Sequence, residues 1–461
     1  MTVSKFSRSV SGRYILCGLM TLGLCRTAAQ GPAPTDKTSV SDTRIVEKAL
    51  HALTEVMIRD ITAPPVASRT YVYSMISFYE AARPGSSSFK SFVGRLNGLG
   101  NDSILWPASD PALSYDWMVA GAAAFHMTAH ALVFSKDLFE QLYDSVDIEI
   151  QRSHHSQANK EVYERSVRFG MQVANAILKW AGGDGYGYTR TLARFTPGKD
   201  SATWKQTGPD YMEAVEPHWD QIRSMTLTSA HQYTIPEPAP FKSPAFVKEY
   251  MEVYETCNHL TADQRASALF WDCNPYATQT VGHLMYSIKK ISPGGHWIGI
   301  AAIAIRQENK GLTAALYTYS LVSIALFDGF IASWDEKYRT NYLRPITAVQ
   351  QLYNPTWQPL LQTPPFPEYP SAHSVISMAS ATVLTAIYGD HFHYTDNVEK
   401  AFGLPDRSFE SFIQASGEAA MSRLYGGIHF REAVENGKLL GTQIGNHLIQ
   451  KFGLGNGLVN Q

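Results

Sequence analysis

Apolar residues recur at three- and four-residue spacing along most of this chain, the signature of helices with one buried face. The pattern predicts helices over 46–59, 68–82, 138–151 and 158–182 in the first half. In the second half it predicts them over 244–256, 261–271, 297–308, 312–338, 374–387 and 430–452, with another from about Ser408 to Tyr425. Thr261 and Ser371 stand where N-caps are needed. Strand-like alternation is scarce, and no internal repeat is present. The segment 186–216 is rich in Gly, Thr, Pro and Trp, and 226–244 contains Ile235-Pro236-Glu237-Pro238-Ala239-Pro240, which no helix accommodates. Ser292-Pro293-Gly294-Gly295-His296 reads as a break. The expected fold is therefore all-α: two packed helical bundles, divided near residue 243 into regions 30–243 and 244–461.

The run 312–327 has no charge, but Asp328, Asp335, Glu336 and Lys337 follow closely. That favours a buried bundle helix over a membrane span. Residues 1–29 differ. They hold Lys5, Arg8, Arg13 and Arg26 and no acid, around the short apolar run from Tyr14 to Cys25. Small residues Thr27 to Ala29 and a Pro/Gly-rich stretch follow. This is the plan of a secretory signal, so a periplasmic or secreted protein is expected, without a membrane span once the signal is cleaved. Its loss would take the formal net charge of −2 to −6 by removing those four cations.

At 461 residues, 44% hydrophobic and 17% charged, the chain has material for a large core, and its near-zero net charge argues against nucleic acid as partner. Cys257 and Cys273 remain after export, and the sequence leaves a disulfide between them open. No Cys/His spacing suggests zinc, and no GxSxG, P-loop or GxGxxG context occurs.

The chemistry concentrates in three clusters: Lys337-x6-Arg344-Pro345, Pro370-Ser371-Ala372-His373 and Ser422-Arg423-x5-His429. Lys337 and Arg344 lie two helical turns apart, and Pro345 disfavours helix at Arg344, so a helix should end there. Ser371 as N-cap would leave the amides of Ala372 and His373 at a positive helix end. Arg423 and His429 flank a glycine turn. One Lys, two Arg, two His, a hydroxyl and free amides make a cradle for a highly charged tetrahedral oxyanion.

The ordered set K-x6-RP, PS-x-H, SR-x5-H resembles the vanadium haloperoxidase and type-2 phosphatidic acid phosphatase superfamily, over roughly 334–441. Trp334 and the lead-in Thr363-Pro364-Pro365-Phe366-Pro367-Glu368-Tyr369-Pro370 resemble its soluble haloperoxidase branch. The resemblance implies a vanadate cofactor, with phosphate able to occupy the same place. It implies that Lys337, Arg344, Arg423, Ser371 and the amide of Ala372 hold the oxygens. It makes His429 the vanadium ligand and His373 the acid–base residue acting on hydrogen peroxide. A halide and a small organic acceptor would be the other partners. The alternative it leaves open is an exported acid phosphatase with His429 as nucleophile and His373 protonating the leaving group. Phe366, Trp334 and His296 are candidate pocket-lining residues, as is Asp272. The family pattern continues His-x3-Asp, but here that position is Ala433. Glu432, one turn on, and Glu435 nearby are candidate replacements, and the sequence leaves open whether any carboxylate takes that place.

Overall fold

A computed structural model describes residues 40–100, 106–281 and 283–455; the signal read at 1–29 lies outside them. Five helices form the first bundle: α1 (Val40–Arg59), α2 (Pro64–Ala82), α3 (Trp117–Leu132), α4 (Lys136–His154) and α5 (Lys160–Gly182). α2 packs on α3, α3 on α5 and α1 on α4. The short α6 (Tyr186–Thr189) opens a long irregular segment. The second bundle comprises α7 (Pro244–Asn258), α8 (Ala262–Phe270), α9 (Pro293–Gln307), α10 (Leu312–Thr340), α11 (Pro345–Leu352), α12 (Ala372–Tyr388), α13 (Phe412–Tyr425) and α14 (Arg431–Phe452). Two antiparallel hairpins join them: β1 (Thr278–Val281) with β2 (Leu284–Ser287), and β3 (Tyr394–Asp396) with β4 (Arg407–Phe409).

The uncharged helix α10 is the shared wall. It packs on α2 of the first bundle and on α12 of the second, and nearly all of it is buried. Helices from both halves thus share one continuous core, running from Ile45 to Leu454. Each fully buried Leu, Ile or Phe on α10 contributes roughly 1.5–3 kcal/mol relative to exposure. Asp328, midway along this helix and fully buried, is not in conflict with burial. Its Oδ1 accepts the Met225 amide at 2.7 Å and its Oδ2 the Thr226 amide at 2.9 Å, fastening the irregular segment to α10. Burial still pushes its carboxyl up to about 6.

Two local expectations change. Residues 292–296 do not break the chain: Ser292 caps α9 and Pro293 takes its first turn, while position 295 holds glycine because a Cβ there would lie 2.7 Å from Ile291 and 3.0 Å from the Tyr71 hydroxyl. Residues 408–411 do not start α13; β4 and the Ser411 cap precede it. Cys257 and Cys273 are both free thiols.

Candidate active site

The fold brings the three sequence clusters together. Lys337 lies in the last turn of α10, which ends at Thr340 with Asn341 in the left-handed conformation. Arg344 then sits in extended backbone as the N-cap residue of α11, with Pro345 inside its first turn. Ser371 caps α12, so the amides of Ala372 and His373 are the first of that helix and have no intrahelical acceptor. Arg423 lies in the last turn of α13, and His429 directly precedes α14. Between them Gly427 has φ +76°, and a Cβ there would meet Pro359 at 2.9 Å and the Cys257 sulfur at 3.0 Å, so the turn requires glycine.

Lys337 and Arg344 are both fully buried, and both are tied to the 366–370 strap. The Lys337 ammonium donates to the carbonyls of Pro367 at 2.9 Å, Glu368 at 2.9 Å and Pro370 at 2.5 Å. Its three protons are therefore spent on main chain, and it supplies charge while shaping the strap that ends in Ser371. Burial, then the neighbouring Arg344, hold its pKa well below the usual lysine value. Arg344 donates Nε to the Phe366 carbonyl and Nη1 to the Ile428 carbonyl, each at 2.9 Å. Its Nη2 is buried without a protein partner. Burial lowers this guanidinium to about 10. The Phe366 ring covers both cations, 5.2 Å from the Lys337 nitrogen and 5.0 Å from the Arg344 carbon.

His429 is held at both ring nitrogens. Nδ1 lies 2.8 Å from Glu368 Oε1, and Nε2 lies 3.2 Å from Arg344 Nη1. Arginine only donates, so Nε2 is the acceptor and the ring proton belongs on Nδ1. Burial and then Arg344, Lys337 and Arg423 keep this imidazole neutral, well below its ordinary pKa. Glu368 also accepts the Phe430 amide at 2.9 Å, and burial pushes its carboxyl up to about 8 against the pull of Arg344 and Lys337.

The carboxylate partner is thus neither candidate. Glu432 turns away to accept the Ala239 amide at 2.9 Å, and Glu435 pairs with Lys438 at 2.7 Å. Ala433 contributes its carbonyl, which accepts the Ser371 amide at 3.0 Å and locks the start of α14 to the cap of α12. Glu368 supplies the acid from the strap instead. Its only signal in the sequence is its place in the lead-in to Pro370-Ser371.

His373 and Arg423 belong to the other wall. Arg423 donates Nε to Ser422 Oγ at 3.0 Å and Nη2 to the Trp271 carbonyl at 2.6 Å. His373 packs edge-on to Trp271, with ring centroids 6.3 Å apart, and its Nε2 is buried without a partner. Burial, then Arg423, lower its pKa well below the ordinary value. Ser371 Oγ accepts the Ser374 amide at 3.3 Å and meets Ser374 Oγ at 2.8 Å.

A cavity of about 50 Å³ is lined by Trp334, Phe366, Ala372, His373, Arg423 and His429. That exceeds the roughly 10–15 Å³ that one water requires, so a small anion has room there. A larger surface cavity of about 220 Å³ beside α1 and α9 contains none of the three clusters, so size does not pick the site. His296 does not line the pocket. It is fully buried behind Trp271, stacked on it at 4.6 Å, because Asp396 and Glu399 draw its ring into the protein. Asp272 likewise lies outside the lining and pairs with Lys290. The donor set fits vanadate: the buried Arg344 Nη2 without a partner, first-turn amides, and a neutral imidazole whose Nε2 carries no proton and meets only the Arg344 guanidinium.

Residues 317–356 and 354–453 match the family model described as the VCPO second helical-bundle domain. Among solved structures, the first bacterial vanadium-dependent iodoperoxidase aligns with a TM-score of 0.83 and 39% identity, over 92% of this chain and 99% of that one. The holo form of a bacterial vanadium-dependent chloroperoxidase aligns with a TM-score of 0.59 and 16% identity, over 91% of this chain and 96% of that one. Its apo counterpart gives 0.60 and 14%, over 85% and 95%. These two share the fold. No curated protein matches the chain.

Proposed function

The chain belongs to the vanadium-dependent haloperoxidases, and from that premise we propose that it oxidises halide with hydrogen peroxide at a vanadate bound in this cavity. The observation that carries the reading is the pair of buried, unpartnered nitrogens, Arg344 Nη2 and His373 Nε2, beside a His429 held neutral by burial and the surrounding cations, with its tautomer set by Glu368. Iodide is the first halide to test, given the iodoperoxidase likeness over the whole chain. The balanced reaction takes peroxide, halide and one proton to hypohalous acid and water. A small organic acceptor would then be halogenated.

Arg344, Arg423, Ser371 and the Ala372 amide would hold the vanadate oxygens, with Lys337 adding charge through the strap. His429 would offer Nε2 to vanadium, giving up its contact with Arg344 Nη1, and the Glu368 hydrogen bond fixes its tautomer. Bound vanadate supplies an oxidised Lewis-acid centre that makes peroxide electrophilic towards halide. His373, kept neutral, accepts a proton from peroxide at its free Nε2. Trp334 and Phe366 exclude water from one side, the indole being fixed by its bond to the Val215 carbonyl at 3.2 Å. Phosphate matches the same donors and would compete. The basic, apolar-cored stretch 1–29 supports export.

The test is direct. Purified protein is reconstituted with orthovanadate and assayed for peroxide-dependent oxidation of iodide, bromide and chloride, alongside phosphomonoester hydrolysis without vanadate. Vanadate-dependent iodide oxidation is expected. Hydrolysis alone, with no halide oxidation, would overturn the proposal.

A further inference from the structure

Behind the Trp271 wall lies a second polar cluster that the reaction does not use. Cys273, His296 and Glu399 are all buried. Their ligating atoms form a near-regular triangle: Cys273 Sγ to His296 Nδ1 3.5 Å, Cys273 Sγ to Glu399 Oε1 3.5 Å, and His296 Nδ1 to Glu399 Oε1 3.0 Å. A point equidistant from the three corners lies about 1.9 Å from each, just inside the bond lengths of zinc to nitrogen, oxygen and sulfur, roughly 2.0–2.3 Å. An ion displaced slightly from the plane meets all three.

A second observation points the same way. The far ring nitrogen of His296, Nε2, lies 2.8 Å from Asp396 Oδ2. Asp396 is itself fixed by β3 and by the Val398 amide, which donates to Oδ1 at 3.0 Å. A carboxylate on the outer nitrogen is the arrangement that orients a metal-binding histidine. Cys273 also borders the cavity that holds His373 and His429, which gives an ion a route in.

We propose that Cys273, His296 and Glu399 bind one zinc ion, with Asp396 orienting His296. On binding, the Cys273 thiol loses its proton, the proton shared between His296 Nδ1 and Glu399 Oε1 also leaves to solvent, and a water or a further group completes the tetrahedron. The ion would clamp residues 271–273 to α9 and the 398–402 turn. Because the Trp271 carbonyl anchors Arg423, the clamp stiffens one wall of the vanadate site. The site itself rests on none of the vanadate chemistry.

The test uses the full chain, stripped with a chelator in the absence of vanadate, then titrated with Zn(II) and separately with Co(II). Uptake of one equivalent is expected, with a rise in melting temperature and, for Co(II), a near-ultraviolet thiolate charge-transfer band. Cys273→Ser should abolish that band. Asp396→Asn should keep the band and weaken binding about 10–100-fold. Circular dichroism shows whether each variant folds. No stoichiometric uptake of either ion by folded wild-type protein, or an unchanged band in Cys273→Ser, would overturn the proposal.

Discussion

His429 and His373 line one cavity beside Arg423, yet their walls are built differently. On the strap wall, His429 is gripped at both nitrogens, by Glu368 and by Arg344, and Lys337 pins the strap through three carbonyls. On the other wall, His373 is positioned by packing against Trp271, and its Nε2 has no protein partner. A ligand to a metal oxyanion benefits from a fixed tautomer and a fixed direction. A residue that must take up and return a proton benefits from a free nitrogen. The contrast assigns the roles independently of any motif.

The largest expected effect breaks the free wall. His373→Ala should lower the turnover number for iodide oxidation by about 10²–10⁴-fold, the usual worth of a positioned acid–base group, measured under saturating peroxide and vanadate. Smaller, and on the strap wall, Glu368→Gln should cut activity about 10–100-fold by loosening His429, as loss of an orienting partner does. Excess vanadate should restore part of it. Glu432→Gln, assayed beside it, should stay close to wild type, because Glu432 serves the Ala239 amide and not the imidazole.

How much of this was legible in the sequence follows from where each partner lies. The three clusters were readable because each is local: a helix end, a cap, a glycine turn. Glu368 was not, because it reaches His429 across 61 positions, and helical spacing pointed to Glu432 instead. Helix α3 also escaped the pattern. It carries no Lys, Arg, Asp or Glu and is apolar around most of its surface, so it shows no polar face to set a period. His296 looked like a pocket residue beside a Gly-Gly break. The break is the first turn of α9, which turns the ring inward to Asp396.

A third histidine sharpens the comparison from outside the cavity. His154, on α4, lies 2.9 Å from Asp116 and 3.5 Å from Asp42. The hydrogen bond to Asp116, then the ion-pair contact with Asp42, raises its pKa to about 10. The folded protein therefore holds this proton more tightly than the unfolded chain. The resulting stability is complete below the ordinary histidine pKa of about 6.5 and is lost as pH rises through about 10. His154→Gln should lower the melting temperature at pH about 6, and the gap to wild type should narrow as pH rises past about 10. Halide oxidation at moderate temperature should not change. The smallest effect on activity thus belongs to the histidine whose carboxylates make it a cation.

The most direct test of the two-wall account is vanadate titration by calorimetry on His373→Ala and Glu368→Gln side by side. Wild-type-like affinity is predicted for His373→Ala, and an affinity about 10–100-fold weaker for Glu368→Gln. Equal losses in both, or a loss confined to His373→Ala, would contradict it.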